Sequence, residues 1–225
     1  MYSLSKGLTM SSFQSQFLGR ISYAEALGLM QEFKAKRQNN EIGDQILFLE
    51  HQAVVTMGRK PSEKDLYLKK EELLKKNIDF VKTDRGGKLT YHGPGQLVIY
   101  FVFDIQKRGY SIEEWVWNVE EGVRKFLSEK GVECERDEDN PGLWVRAAHE
   151  PPLQKICSVG FHVSKGVTTH GVALNLDCDL TPFGYFLPCG VEGRGITSVL
   201  KETGKKLFLE EAAKEIEGIY RGLFT

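Results

Sequence analysis

The chain has 225 residues, of which 41% are hydrophobic and 27% charged, and its formal net charge is −1. This length allows a substantial core, and the composition is that of an ordinary globular protein. The balanced charge gives no sign of a nucleic-acid or bilayer partner, no apolar run approaches the ~18 residues of a membrane span, and the N-terminus lacks a signal pattern. We therefore expect a cytoplasmic protein that binds neither nucleic acid nor membrane.

The four cysteines stand at positions 134, 157, 178 and 189, with no C-x-x-C pair among them. Disulfides are rare in a reducing compartment and the spacing is not that of a zinc site, so we expect neither a disulfide nor a bound metal. Cys157 and Cys178 lie in strand patterns and are expected to be buried. Cys189 lies between Pro188 and Gly190, in a turn context where a thiol can be either structural or reactive.

The first half of the chain alternates between strand and helix patterns. Residues 1–20 show no period and are predicted to be a loosely held arm. Ser22 and Glu25 form a capping box that predicts the start of a helix, and the charged stretch 62–76 predicts a surface helix. The run 96–104 is apolar at successive positions, which is typical of a strand covered on both faces. Short strands are predicted at 46–49, 53–57 and 80–82.

The second half begins with another capping box, Ser111 and Glu114, followed by apolar residues at helical spacing as far as Gly131, a C-cap glycine. Trp115 belongs to this stripe and is predicted to lie in the core. Further strands are predicted at 143–146, 155–163 and 170–177, and a closing helix at 209–224. Residues 180–195 are irregular. No repeat or linker is evident, so we expect one α/β domain over 1–225 with a mixed sheet.

A stretch rich in glycine and proline, residues 85–96, comes directly before the apolar run. Glycine lets backbone amides approach a ligand closely, and Arg85 adds a fixed cation to this segment. Thr90, Tyr91 and His92 add hydrogen-bonding side chains. The phosphate motifs do not match, because there is no G-x-G-x-x-G and no Ser or Thr follows Gly87-Lys88. The stretch therefore predicts a small-ligand loop, with a structural turn between strands as the alternative.

A nucleophilic cysteine needs a neighbouring cation or base, because a thiol of pKa ~8.5 is only a few per cent ionised at neutral pH. Lys155 is a candidate because it opens a strand face that is otherwise apolar, where desolvation lowers a lysine pKa. The alternative is a lysine that snorkels at a strand end. Spacing alone does not pair Lys155 with Cys189. The remaining candidates are His92, His149, His162 and His170.

Several blocks, in a fixed order over about residues 20 to 200, together carry a family resemblance. The blocks are LFLEH at 47–51, TMGR at 56–59, RGGKLTYHGPGQ at 85–96, KICSVG at 155–160, THGVALN at 169–175 and PCG at 188–190. In these blocks the chain resembles the lipoyl(octanoyl) transferases, the octanoyl-acyl carrier protein:protein N-octanoyltransferases. It departs from the family pattern at Gln52, commonly Pro, at Cys157, commonly Ala, and in a small insertion at 147–153.

The resemblance implies an α/β fold shared with biotin and lipoate protein ligases, a mixed, mostly antiparallel sheet flanked by helices. It also implies catalytic roles: Cys189 matches the nucleophile that forms an acyl thioester, and Lys155 matches the lysine that lowers its pKa. The positions that match the family's acyl-substrate pocket are Arg85, Gly86, Gly87, Lys88, Leu89, Thr90, Tyr91, His92, Ser158, Val159, Gly160, Gly171, Val172 and Ala173.

The activity implied is transfer of an octanoyl group from octanoyl-acyl carrier protein to a lysine of an apo lipoyl domain, in protein lipoylation. The implied acceptors are the lipoyl domains of 2-oxoacid dehydrogenase complexes and the glycine cleavage H protein, and no ATP, metal or other cofactor is required. One alternative is an ATP-dependent lipoate or biotin ligase, which would not need Cys189. The other is a non-enzymatic lipoyl-domain binding module, which would not need the Lys155 and Cys189 motifs.

Overall fold

The computed structural model describes residues 13–60, 63–147, 153–187 and 193–224. Cys189, His149 and nearly all of the predicted insertion 147–153 lie outside the described residues. The main sheet of the described residues runs, in spatial order, through β1 (Gln14–Ile21), β2 (Gln45–His51), β6 (Gln96–Val102), β10 (Val167–Asn175), β9 (Leu153–Ser164), β8 (Gly142–Arg146) and β7 (Glu135–Arg136), with β11 (Gly195–Ile196) also paired to β9.

Within this sheet the pairs are antiparallel, apart from β1 with β2 and β11 with β9. The predicted mixed, mostly antiparallel sheet is therefore confirmed. Three more strands, β3 (Val54–Met57), β4 (Asp79–Lys82) and β5 (Leu89–His92), form a separate sheet in the order β4-β3-β5. The sequence analysis did not distinguish this second sheet, because hydrophobic periodicity identifies strands without identifying their partners.

The longer helices are α1 (Tyr23–Gln38), α3 (Ile112–Glu129) and α5 (Leu209–Leu223), and the shorter ones are α2 (Lys70–Lys75) and α4 (Val199–Thr203). Both predicted capping boxes are confirmed. The Glu25 amide donates to the Ser22 hydroxyl at 3.2 Å, and the Ser22 amide donates to the Glu25 carboxylate at 2.8 Å. Gly131 follows α3 with a φ of +82°, the left-handed conformation expected of a C-cap glycine.

Two predicted elements differ from the structure. The sequence predicted an arm over residues 1–20, of which 1–12 lie outside the described residues, whereas residues 14–21 form strand β1, which pairs with β2. β1 is an edge strand with several exposed polar residues, so it lacks the apolar alternation that identifies a strand. The charged stretch 62–76 forms a 3-10 turn at Glu63–Asp65 and the six-residue helix α2. Leu73 is the only buried residue of α2, too little apolar surface for a long helix.

The main sheet is covered on both faces, as the apolar run of β6 predicted, and all seven residues of β6 are buried. On one face α3 and α5 pack through a cluster of aromatic rings around the fully buried Trp115, which confirms its predicted core position. On the other face Met30 of α1 packs against Val98 and Tyr100 of β6. None of the helices that the described residues form could span a membrane.

Candidate active site

A cavity of about 260 Å³ lies on the face of β9 and β10 that also carries α1, beside strand β5. Its exposed lining residues include Lys60 and Asp139, and its buried ones include Tyr100 and His170. The cavity therefore has an open side and a closed end. The predicted site residues that line it are Arg85, Gly87, Lys88, Leu89, Thr90, His92, Lys155, Ser158, Val159, Gly160, Gly171, Val172 and Ala173.

Gly86 and Tyr91 belong to the predicted set but do not line this cavity. The Tyr91 ring faces the core of the smaller sheet, edge-on to Phe183 with ring centroids 5.5 Å apart, and burial raises the pKa of its hydroxyl to about 12. The Gly86 amide donates to the carbonyl of Phe161 in β9 at 2.9 Å. Both residues therefore support the residues that line the cavity without lining it themselves. A linear motif does not distinguish these two roles.

The glycine-rich stretch is only partly a loop, because Leu89–His92 forms strand β5. The preceding turn is fastened to the residues that follow β3. The amides of residues 58–60 donate, in chain order, to the carbonyls of Lys88, Arg85 and Gly87 at 3.0, 3.0 and 3.2 Å. A Cβ on Gly58 would stand 2.9 Å from the Arg85 carbonyl oxygen and closer still to that of Gly87. Glycine at position 58 therefore permits this contact, and the sequence analysis did not single it out.

Arg85 is the centre of this turn, and its side chain is only 7% exposed. Its Nε and Nη2 donate to the Thr56 hydroxyl at 3.1 and 2.7 Å, and Nη2 also donates to the carbonyls of Thr56 and Lys88. Its Nη1 donates to the Gly86 carbonyl at 2.9 Å. The guanidinium thus shapes the turn and places a positive charge beside the cavity.

Lys155 reaches the cavity because β9 contains a bulge. Leu143 of β8 pairs with Cys157, but the next residue of β8, Trp144, pairs with Lys155. Ile156 is therefore an extra residue on β9, and a bulge of this kind redirects the side chains that follow it. Without it, strict alternation would place Lys155 on the same face as Cys157.

The side chains around the bulge confirm this change of face. Ile156 and Cys157 both lie in the main core, whereas Lys155, Ser158 and Gly160 line the cavity. The sequence analysis placed Lys155 on the apolar face of the strand, and that assignment is wrong. The rest of that face is apolar, as the sequence analysis expected: Cys157, Val159, Phe161 and Val163 lie in the main core or pack against it.

The Lys155 ammonium is held inside the protein, with the residue only 3% exposed, so it does not snorkel at a strand end. Its Nζ donates to the Pro141 carbonyl at 3.0 Å and lies 4.5 Å from the centroid of the Trp144 ring. A Cβ on Gly142 would come within 3.3 Å of Nζ, so glycine at that position leaves room for the ammonium. The role of Lys155 toward Cys189 remains a prediction, since Cys189 is outside the described residues.

A buried carboxylate lies near this ammonium and was not identified from the sequence. The Glu120 carboxylate accepts a hydrogen bond from the Gly142 amide at 2.8 Å, and burial raises the pKa of Glu120 despite that bond. The positive charges of Arg136 and Lys155 act in the opposite direction, favouring the ionised form. The sequence did contain one indication of a buried carboxylate, because Glu120 lies between Val119 and Val123 on the apolar side of α3.

The family model of the lipoyl protein ligase A/B catalytic domain matches residues 22–219. The chain belongs to this family. An octanoyltransferase of Chloroflexus aurantiacus is 37% identical over 208 residues, 92% of each chain. An octanoyltransferase of Dictyoglomus thermophilum is 37% identical over 200 residues, 89% of this chain and 82% of that one. One of Myxococcus xanthus is 35% identical over 207 residues, which are 92% of this chain but 58% of that protein.

Solved structures of lower identity show the same fold. A bipartite lipoate protein ligase from Thermoplasma acidophilum superposes with a TM-score of 0.68 at 15% identity, covering 94% of this chain and 82% of that one. A lipoate-protein ligase A bound with ATP gives a TM-score of 0.65 at 14% identity, covering 94% and 84%. The predicted biotin and lipoate protein ligase fold is therefore confirmed.

The closed end of the cavity in this lipoyl ligase family member contains neutral histidines. Burial, reinforced by the charges of His51 and Arg85, holds the pKa of His92 well below its usual value. Gln96 orients the ring: its amide nitrogen donates to Asn175 Oδ1 at 2.8 Å, so its oxygen accepts from His92 Nδ1, also at 2.8 Å. A neutral His92 with its proton on Nδ1 keeps Nε2 as an acceptor.

His51, behind this wall, provides a test through the pH dependence of stability. Burial lowers its pKa to about 4, its Nδ1 donates to the Ile21 carbonyl at 3.2 Å, and its Nε2 accepts from the Tyr100 hydroxyl at 2.8 Å. The pKa of His51 is lower in the folded protein than in the unfolded chain, where it is ~6.5. The contribution of His51 to the free energy of unfolding is therefore complete above pH ~6.5 and is lost as the pH falls toward 4. We expect the His51 contribution to fall by about 3 kcal/mol over this range.

The measurement is the free energy of unfolding by urea at several pH values between 7 and 4, for the wild type and for His51→Gln. Glutamine can still hydrogen-bond but does not titrate, so the wild type should lose more stability than the variant as the pH falls. Parallel curves for the two proteins would show that His51 is not the titrating group.

Proposed function

We propose that this protein is an octanoyltransferase that moves an octanoyl group from octanoyl-acyl carrier protein to a lysine of an apo lipoyl domain. The observation that carries the proposal is the 37% identity, over 92% of both chains, to an octanoyltransferase. The cavity supports it, because twelve of the fourteen predicted pocket residues line it, all but Gly86 and Tyr91, and Lys155 lines it as well. The acceptors proposed are lipoyl domains of 2-oxoacid dehydrogenase complexes and the glycine cleavage H protein.

In the first step the Cys189 thiolate attacks the thioester carbonyl carbon of the donor. The new carbon–sulfur bond forms as the bond to the phosphopantetheine sulfur breaks, and that sulfur leaves as a thiolate. The Lys155 ammonium stabilises the Cys189 thiolate, because a neighbouring positive charge favours the ionised form. After the segment that contains Cys189, the described chain pairs with the backbone of Lys155: Ile196 of β11 is the partner of Lys155 in the sheet, and the Thr197 amide donates to the Lys155 carbonyl at 3.0 Å.

In the second step the neutral amine of the acceptor lysine attacks the acyl-enzyme carbonyl. An amide bond forms, the bond to the Cys189 sulfur breaks, and the proton lost by the amine is taken up at the Lys155–Cys189 pair. The first step exchanges one thioester for another and the second converts a thioester into a more stable amide, so neither step requires ATP or a metal ion. Lys155 thus has two roles, since it holds a positive charge and transfers a proton. A single side chain commonly combines these roles in general acid–base catalysis.

The test is intact-mass spectrometry after the protein is mixed with octanoyl-acyl carrier protein in the absence of ATP. We expect one octanoyl adduct that hydroxylamine removes and that peptide mapping places on Cys189. Cys189→Ala should form no adduct. Cys134→Ala is a matched control, because burial raises the pKa of the Cys134 thiol to about 11 and that residue does not line the cavity.

Other outcomes would contradict the proposal. Burial raises the pKa of the Cys178 thiol to about 12 and that of Cys157 also rises, so neither is expected to react. An adduct on Cys157 with none on Cys189 would reject the assignment of the nucleophile. Modification of a lipoyl domain only when free octanoate and ATP are supplied would instead identify a ligase.

A further inference from the structure

Beside the buried end of the cavity, which His170 lines, a clasp joins the glycine-rich turn to the β9–β10 pair. We define the clasp by Asp84, Gly86, Phe161 and His170. His170 Nε2 donates to the Asp84 carboxylate at 2.7 Å, and the Gly86 amide donates to the Phe161 carbonyl at 2.9 Å. Phe161 and His170 are directly opposite each other in the β9–β10 pair. The two contacts therefore fasten the turn to the sheet at one level of the strands.

His170 has an unusual backbone for a residue within a strand. Its φ is +62°, in the left-handed region, and its side chain lies almost entirely inside the protein, with 1% of the residue exposed. Among the described non-glycine residues with positive φ, Asn40 and Asn77 follow helices and Lys165 lies in the β9–β10 turn. Strained conformations inside regular elements persist where the surrounding structure enforces them, commonly at ligand sites. Here the strained residue lines the buried end of the cavity.

The distance from Lys155 to this end matches an eight-carbon chain. The Lys155 ammonium lies beside Gly142, which pairs with Ser158, so the ammonium is level with Ser158 along β9. Phe161, opposite His170, is three residues further, about 10 Å of strand. With carbon–carbon bonds of about 1.5 Å, an extended octanoyl chain spans roughly 9 Å from carbonyl carbon to methyl.

We propose that the clasp sets the acyl-chain length, with the His170 ring closing the pocket against the terminal methyl of an eight-carbon chain. This inference rests on the proposed function, because it takes the reacting carbonyl to lie beside the Lys155 ammonium. The tail then runs along β9 past Gly160, which has no side chain to block it. A Cβ on Gly160 would stand 3.1 Å from the Gly86 carbonyl oxygen, on the cavity side of the strand.

Two substitutions should move the length preference in opposite directions. His170→Gly removes the ring at a backbone conformation that glycine adopts without strain, so the optimum should move from eight carbons to ten or twelve. Gly160→Ala adds a methyl group to the cavity wall between β9 and the Gly86 carbonyl, about 7 Å beyond the reacting carbonyl, so the optimum should move to six carbons or fewer. In each case the preferred chain should gain about tenfold over octanoyl relative to the wild type, the value of two buried methylenes.

Matched variants distinguish the effect of removing the His170 ring from the effect of changing a residue with a left-handed backbone. His170→Asn tolerates the left-handed conformation and is shorter than histidine, so it should also favour a longer chain and provides a second variant if His170→Gly does not fold. Lys165→Gly makes the same change of residue type at a positive φ, in the exposed β9–β10 turn and outside the cavity lining. Its chain-length preference should equal that of the wild type.

Two readouts keep this inference distinct from the proposed function. The first is acyl-adduct formation from pantetheine thioesters of four to fourteen carbons, followed by intact mass. The second is thermal stabilisation by the corresponding free fatty acids, which needs no acyl transfer. Shifted binding optima without any adduct would support the clasp and contradict the thioester mechanism. Octanoyl adducts with an unshifted optimum in His170→Gly, His170→Asn and Gly160→Ala alike would support the mechanism and overturn the clasp.

Discussion

Replacing Lys155 with alanine is expected to raise the pKa of the Cys189 thiol toward its free value of ~8.5 and to lower acyl transfer at neutral pH by about 10²–10⁴-fold. The direction follows from charge: the ammonium favours the thiolate, so its loss favours the thiol. The environment of Lys155 supports a large effect, because the ammonium is enclosed between the Pro141 carbonyl and the Trp144 ring. Charges act more strongly in such buried surroundings than in water.

The measurement is the pH profile of Cys189 alkylation, followed by peptide mapping, alongside single-turnover transfer from octanoyl-acyl carrier protein. Lys155→Arg separates the two duties proposed for the lysine. Arginine keeps a positive charge and can stack on Trp144, but it hardly loses a proton. We expect it to restore much of the thiolate and little of the turnover. An unchanged alkylation pKa in Lys155→Ala would reject the electrostatic role, and full turnover in Lys155→Arg would reject proton transfer.

Substituting valine for Gly87 is expected to abolish acyl transfer while the protein remains folded. Gly87 has a φ of +82°, a conformation that costs a β-branched residue about 1–2 kcal/mol, and its carbonyl accepts from the Lys60 amide. Relief of this strain would rotate the peptide and move the wall formed by Gly87 and Lys88. Gly86→Val is also expected to abolish transfer, but for a steric reason, since a Cβ on Gly86 would lie 3.2 Å from the Phe161 carbonyl oxygen.

Gly109→Val is the matched control for backbone strain. Gly109 has a φ of +76°, no atom lies within 4 Å of the position of a Cβ there, and it does not line the cavity. Both variants should lose similar free energy of unfolding in urea, but only Gly87→Val should lose transfer. Full activity in a folded Gly87→Val protein would contradict this prediction and support the alternative that residues 85–88 are a structural turn.

Features that depend on neighbouring residues could be predicted from the sequence. Ser22 and Ser111 each predicted a helix start because a capping box is complete within four residues. The strand β6 was evident because an unbroken apolar run is covered on both faces wherever it packs. The order of the motif blocks also predicted the family, since such blocks persist when the sequence between them changes. Each of these features can be recognised from residues that are close together in the sequence.

Which side chains meet in the cavity depends on contacts between residues far apart in the sequence. The face on which Lys155 lies depends on the extra residue Ile156, and that bulge exists only through the pairing of β9 with β8. Tyr91 faces away from the cavity because β5 pairs with β3 in the smaller sheet, and no residue near Tyr91 in the sequence encodes that partner. His170 and Asp84 are 86 positions apart in the chain, yet they share a hydrogen bond. Hydrophobic periodicity identifies a strand, but long-range packing sets the register of that strand and its partner. The register and the partner in turn determine where the functional side chains lie.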